Sequence, residues 1–251
     1  MELEEVKLKR RTRLLGVPID EITLDNALQL IEIYSKSTER HQIVLLNTAG
    51  LLRARHDIEY ARMLREASLI LPISKGIVKG ASFLKVANLT RYRPFEFLIR
   101  TLSLLEQLNK TVYLIGAKKE DVEQSERNLK ASFPELRIVG RYSGYFNREQ
   151  EKNIILVIKK SSPTLLIAGT GLPGKEKWIL RHKKEFNPGI FLWADNCFEI
   201  FSGKEKQPSK LLFSLGLENI TRVKKKPWLV FRVFSFFYYL LLLLIYKIFK
   251  R

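Results

Sequence analysis

Three glycines, Gly169, Gly171 and Gly174, fall within six positions, with Pro173 among them and Lys175 and Glu176 directly after. Glycine tolerates positive φ and lets a backbone approach a ligand closely. Leu165 to Ala168, just before, form a short apolar run, and the pattern from Lys175 onward reads as a helix start. A strand, a glycine turn and a helix N-terminus in that order suit an anion, because free N–H groups and the helix dipole converge. The diphosphate of a sugar nucleotide would fit there. The segment equally suits a tight strand-to-helix turn that binds nothing. It is not a full dinucleotide fingerprint, since no acidic residue follows Gly-Thr-Gly at the expected distance.

Other candidates for chemistry also follow apolar runs. Asn47 ends the run 42–46, and Ile73, Ser74, Lys75 and Gly76 follow the run 68–71 and Pro72. Asp195 and Glu199 come after the run 190–193. In α/β proteins, chemistry collects where strands end. His41, His56 and His182 show no metal-ligand spacing, and there is no Asp-x-Asp pair. No metal or other cofactor is therefore expected.

The elements that must position these residues alternate. Apolar strand patterns occur at 14–18, 42–46, 68–71, 111–115, 137–140, 165–168 and 190–193. Helical patterns occupy 25–35, 51–67, 95–108, 119–132 and 148–160. Pro18 marks the first strand as an edge. The alternation predicts one α/β domain over 1–203, with a mainly parallel sheet and helices on both faces. Residues 1–13 are charged throughout, which suits a solvated arm and shows no signal peptide.

The 251 residues are 46% hydrophobic, enough for a large core, and the single cysteine, Cys197, excludes an intrachain disulfide. The net charge is +18. From Lys204 onward there are eleven Lys or Arg and two acids, so 11 − 2 = +9 sits on residues 204–251. Short helical pieces are expected at 208–216 and 217–223, followed by Lys224, Lys225, Lys226 and Trp228. Residues 233–246, between Arg232 and Lys247, carry no charge. As a helix they span about 21 Å, short of a hydrocarbon core of roughly 30 Å. The sequence pattern leaves no further element to cover such a helix. A basic, strongly apolar appendage over 204–251 points to a membrane surface. Nucleic acid fits poorly, because no aromatics interleave on a basic face.

A series of short segments carries a resemblance. They are Leu15-Gly16-Val17-Pro18-Ile19-Asp20, Leu46-Asn47, Leu71-Pro72, Gly76-Ile77-Val78, Phe133-Pro134-Glu135-Leu136, Val139-Gly140 and Gly144-Tyr145-Phe146. Gly169, Gly171, Pro173, Glu176-Lys177-Trp178-Ile179, Gly216-Leu217-Glu218 and Arg222 continue the series. In this order they resemble the TagA/WecG/CpsF family of bacterial glycosyltransferases. Those enzymes move N-acetylmannosamine or a related sugar from UDP to a polyprenyl-diphosphate-linked acceptor. The resemblance implies a Rossmann-like fold and work at the cytoplasmic face of the membrane, on a cell-surface polymer. It implies substrate-binding roles for Asn47, Arg91, Gly169, Gly171, Pro173, Lys175, Glu176, Glu218 and Arg222. It implies membrane contact through Lys224, Lys225, Lys226, Trp228 and Arg232. Whether the chain forms a homo-oligomer is left open.

Several positions depart from the family's pattern. Ile73 stands where the family has an Asp proposed as general base, and Leu45 where it has a Thr. Lys175 replaces a sugar-binding Gln, Glu199 an Asp, and Lys206-Gln207-Pro208 an Arg-Ala-Pro run. Arg91 is kept, but Pro94 replaces a Gly downstream. An isoleucine cannot accept a proton. Either Ser74, Asp195 or Glu199 substitutes as the base, or the chain is a non-catalytic relative acting as a partner or regulator at the membrane.

Overall fold

The computed structural model describes residues 8–216 and 232–249. In chain order these form β1 (Arg10–Leu14), β2 (Val17–Glu21), α1 (Leu24–Lys36), β3 (Arg40–Leu46), α2 (Thr48–Arg53), α3 (Ile58–Glu66) and β4 (Leu69–Pro72). Next come α4 (Lys75–Phe83), α5 (Pro94–Gln107), β5 (Thr111–Ile115), α6 (Lys119–Ser132), β6 (Arg137–Tyr142) and α7 (Arg148–Ser161). The chain continues with β7 (Leu165–Ala168), α8 (Lys177–His182), β8 (Gly189–Trp193), α9 (Cys197–Phe201), α10 (Lys210–Leu215) and α11 (Arg232–Phe249).

Six strands form one parallel sheet in the order β4-β3-β8-β7-β5-β6. The expected α/β architecture is the one observed. Side chains alternate across the sheet as the two-residue strand period requires. Leu165 and Ile167 join the core under α1, α5 and α6, whereas Leu166 and Ala168 join the core under α7 and α8. Because both faces are covered, the central strands read as unbroken apolar runs.

Five local expectations are corrected. Residues 14–18 are not a strand of the sheet. Leu15 (φ 52°) and Gly16 (φ 84°) form the two-residue turn of a separate hairpin, β1–β2. The basic segment read as a solvated arm includes β1. Its Arg11 donates from Nε (2.7 Å) and Nη2 (2.8 Å) to the Asp20 carboxylate. Asp20 is buried and also accepts the Ile70 N–H at 2.7 Å, which fastens the hairpin to β4.

The single helix expected at 51–67 is two helices. Asn47 caps α2 through Gly50 N–H (2.8 Å) and Asp57 caps α3 through Tyr60 N–H (2.9 Å). A polar cap inside a long helical pattern offers the backbone a competing turn. Lys75 and Gly76, read as the end of a loop, open α4, a helix absent from the sequence reading. Its Gly76 and Gly80 lower intrinsic helix propensity and so hid it.

The last correction concerns α11, which is covered along one side. Tyr239 and Leu243 are buried in the same cluster as Leu51 and Leu52 of α2 and Ile77 and Ala81 of α4. The Tyr239 hydroxyl donates to the Gly76 carbonyl at 3.0 Å. The expected helix at 208–216 is α10. The expected helix at 217–223, together with Glu218, Arg222, Lys224, Lys225, Lys226 and Trp228, lies outside the described residues.

Without Asp20 the buried Ile70 N–H loses its acceptor, whereas the Arg11 guanidinium still reaches water. Asp20→Ala is therefore expected to lower the unfolding free energy by about 1–3 kcal/mol. Urea denaturation of the variant beside the parent measures this.

Candidate functional site

The six parallel strands end along one edge of the sheet. Loops there frame a cavity of about 1370 Å³. Asn47 and Thr48 line it after β3, Ile73 and Ser74 after β4, and Asp195 and Asn196 after β8. Lys175 and Glu176 reach it from the end of the glycine turn. Phe236, Leu240 and Leu244 of α11 supply another wall. The three strand-end loops singled out in the sequence thus meet in one space.

Many polar groups on this rim hold one another. The Ser74 and Thr48 hydroxyls are 2.8 Å apart, and the Ser74 oxygen accepts the Thr48 N–H at 3.1 Å. Ser74 therefore joins two loops, and no base lies among these partners to activate its hydroxyl. Ile73 packs partly buried against the core. Its N–H donates to the Leu46 carbonyl at 2.9 Å. Arg91 does not line the cavity. It donates from Nε to the Ile73 carbonyl (3.1 Å), donates to the Phe213 carbonyl, and lies 3.6 Å from the Phe213 ring centroid. Arg91 thereby ties α10 to the end of β4, and Arg93 is the arginine of that segment that faces the cavity.

The glycine turn differs from the expectation in detail. Gly169 donates its N–H to Ile115 O at 2.8 Å and Thr170 to Asp195 O at 3.0 Å, so these amides serve the fold. A Cβ on Gly169 would meet the Phe198 ring at 2.6 Å, and one on Gly171 (φ 89°) would meet the Tyr145 ring at 2.8 Å. Both glycines are required by close packing below the cavity. Gly169, Gly171 and Pro173 do not line it. Lys175 has φ 56° and donates its N–H to Leu172 O at 3.0 Å, so α8 begins two residues later than the sequence suggests.

Glu176 is fixed by Arg53, whose Nη1 lies 2.5 Å from its carboxylate. Next to it, Lys177 bridges Asp57 (3.1 Å) and Glu59 (2.9 Å), and Arg181 pairs with Glu59 at 2.7 Å. Hydrogen bonds from Arg181 and Lys177 hold the Glu59 carboxyl down to about 2. This network clamps α8 to α3 and holds the glycine turn in place.

Asp195 lines the cavity and Glu199 does not. The Thr170 hydroxyl donates to Glu199 Oε1 at 2.5 Å, and Glu199 Oε2 is buried with no hydrogen-bond partner among the described residues. Burial raises its pKa above the ordinary carboxylate value, outweighing the Thr170 hydrogen bond.

Lys75, Lys79, Arg53 and Arg93 also line the cavity. Sequence reasoning placed Lys75 in a candidate loop and left the other three out of the site. Lys79 follows Lys75 by one helical turn, a signal that becomes readable only once α4 is known to be a helix.

A parallel sheet whose carboxyl edge opens into a cationic and partly apolar cleft is the architecture of α/β proteins that bind phosphorylated or nucleotide ligands. Comparison with known proteins narrows that class. The chain belongs to the glycosyl transferase WecG/TagA/CpsF family, whose pattern matches residues 12–251. It is 26% identical over 224 residues to an N-acetylglucosaminyldiphosphoundecaprenol N-acetyl-beta-D-mannosaminyltransferase of Staphylococcus aureus (strain NCTC 8325 / PS 47). That alignment covers 88% of this chain and 87% of the relative. The protein with the same description from strain MRSA252 is 25% identical over the same shares of both chains.

The raised pKa of Glu199 has a consequence for stability. A group whose pKa is raised on folding contributes stability that is full below its unfolded value and is lost as pH rises through its folded value. Glu199→Gln should therefore raise the melting temperature near neutral pH and have little effect at about pH 4. Thermal melts of both proteins across that range check the sign.

Proposed function

We propose that this protein transfers an N-acetylhexosamine-type sugar from a UDP-sugar to a polyprenyl-diphosphate-linked acceptor, at the cytoplasmic face of a membrane. The product would enter a cell-surface polysaccharide or teichoic-acid-like polymer. The observation that carries this reading is the cavity itself. Its polar end is built from strand-end loops and its other wall from the apolar side of α11. A soluble donor and a lipid-linked acceptor need such a two-sided space.

In this reading the donor's diphosphate lies near Lys175 and Arg93, whose charges stabilise the departing UDP. The acceptor hydroxyl oxygen attacks the sugar's anomeric carbon, the bond to UDP breaks, and the hydroxyl proton passes to a base. Asp195 is our candidate for that base, because it lines the cavity. Glu176 lines it too but is tied to Arg53. Asn47, capping α2 at the rim, is within the same space for the sugar.

A second reading is favoured by Ile73. Its apolar side chain packs against the core, and the neighbouring Ser74 hydroxyl is engaged by Thr48. A non-catalytic relative acting as a membrane partner would look the same at these two positions. An assay of UDP release with a polyprenyl-diphosphate-linked N-acetylglucosamine acceptor separates the two. Transfer predicts turnover by the parent protein and a loss of about 10²–10⁴-fold in Asp195→Asn, the usual worth of general-base catalysis. Binding of UDP in calorimetry without turnover, and turnover appearing in Ile73→Asp, would establish the second reading instead.

The membrane part of the proposal rests on the outward side of α11. Phe234, Phe237, Leu241 and Ile248 recur at three-, four- and seven-residue spacing and are 70, 63, 53 and 68% exposed. No helix among the described residues is long and apolar enough to cross a membrane. We therefore place α11 flat, with this stripe in one leaflet and residues 204–251 as the membrane-facing appendage. Replacing Phe237, Leu241 and Ile248 together by Ser should release the protein from anionic liposomes. The parent should stay bound in ~1 M salt, which screens only the charge contribution. Co-sedimentation measures both, and the variant keeps Tyr239 and Leu243 in the core.

A further inference from the structure

Helices α4 and α11 lie side by side and run the same way. Tyr239 sits on Gly76 and Gly80, Leu243 lies by Gly80, and the Lys247 ammonium is 3.9 Å from the Phe83 ring centroid. Positions 239, 243 and 247 thus advance along α11 as 76, 80 and 83 advance along α4. The two glycines, lacking side chains, leave the room in which the Tyr239 ring is buried.

Next to this contact, each helix turns a second stripe toward the cavity. On α4 the stripe is Lys75, Lys79 and Phe83, and on α11 it is Phe236, Leu240 and Leu244. Both stripes have four-residue spacing, so each runs along one side of its helix. They form the two walls of a trough about 12 Å long at 1.5 Å per residue. It starts at Ser74, beside the strand-end loops. Its α4 wall is cationic for the first two positions and apolar at the third, and its α11 wall is apolar throughout.

The two lysines are the informative feature. Like charges one turn apart disfavour a helix. Lys79 has no ion pair among the described residues, and the one hydrogen bond of Lys75 there is a long one, 3.5 Å to Leu215 O. Among the described residues, the acids that line the cavity, Glu176 and Asp195, belong to the loops after β7 and β8 and not to either helix of the trough. Two ammonium groups at that spacing match the oxygens of a diphosphate, which the first turns of a helix also favour. Walls of Phe and Leu running on from the lysines call for a ligand whose diphosphate continues into hydrocarbon. A nucleoside diphosphate does not fit that description, since both of its ends are polar. A free anion would gain nothing from the apolar walls.

We propose that Lys75 and Lys79 hold the diphosphate of a prenyl-diphosphate-linked acceptor, and that Phe83, Leu240 and Leu244 take the first part of its chain. This rests on the glycosyl-transfer reading above and extends it by assigning the acceptor its own subsite. The acceptor sugar then projects past Ser74 toward Asn47 and Lys175, and the chain leaves along α11 toward the lipid. The donor and acceptor diphosphates are held by different cations.

The test is calorimetry on the full chain in non-ionic detergent, with farnesyl diphosphate, inorganic pyrophosphate and UDP as separate probes. The parent should bind farnesyl diphosphate more tightly than pyrophosphate. The double variant Lys75→Ala, Lys79→Ala should weaken farnesyl diphosphate by roughly tenfold or more, as expected for losing charge-assisted contacts, and change UDP by less than about twofold. Leu244→Asp, at an exposed position, should remove the advantage of farnesyl diphosphate over pyrophosphate. If the double variant binds farnesyl diphosphate like the parent, the trough is not the subsite. Should it lose UDP equally, the lysines belong to the donor. Equal binding of pyrophosphate and farnesyl diphosphate by the parent would leave an anion site without a chain groove. Those three outcomes overturn the subsite alone, whereas a parent protein that binds neither UDP nor farnesyl diphosphate overturns the glycosyl-transfer reading itself.

Discussion

Parallel strands can be joined only by crossovers, and each crossover returns the chain to the same end of the sheet. The rest of this structure depends on that constraint. β3 and β4 occupy one side of the sheet, β5 and β6 the other, and β7 and β8 fill the middle. The loops after β3, β4 and β8 consequently open on one edge beside the end of the glycine turn. Asn47, Ser74, Lys175 and Asp195, far apart in sequence, come to line one cavity. The helices of the crossovers cover both faces and bury the central strands, which leaves the edge as the place for a ligand.

The rim of that cavity is stiffened by polar contacts that are themselves not chemistry. Ser74 joins Thr48, Arg91 joins the Ile73 carbonyl to the Phe213 carbonyl and ring, and Arg53 joins Glu176. Each contact connects two segments remote in sequence. A site assembled from loops needs such ties, since small displacements of reacting groups cost much of the rate. Residues that a family pattern would assign to substrate are here partly scaffold. Arg91 and Gly169 are the clearest cases.

The last helix serves two environments. Tyr239 and Leu243 complete the core on one side, and the stripe from Phe234 to Ile248 is exposed on the other. A helix apolar all round is usually buried all round. Here the globular domain covers one side only. The edge between the two sides forms a wall of the cavity, so the segment richest in hydrocarbon is also part of the site.

Much of this was legible in the sequence. The strand patterns at 111–115 and 165–168 and the helix at 119–132 coincide with β5, β7 and α6, because buried strands and amphipathic helices write their period directly into the chain. The run of short segments from Leu15 to Arg222 identified the family. The convergence of Asn47, Ser74 and Lys175 followed from the parallel sheet alone. Local patterns could not show which polar groups pair across the fold. Arg11 looked like part of a solvated arm until Asp20 and Ile70 were beside it, and Gly76 looked like part of a loop until the Tyr239 ring lay on it. The roles of Lys79 and of α11 as cavity wall likewise depend on partners more than 100 residues away in the chain. Hydrophobic periodicity is a property of one segment, whereas a buried charge pair or a glycine groove is a property of two. The architecture was therefore set by the sequence, and the identity of the residues that face the ligand was decided by tertiary packing.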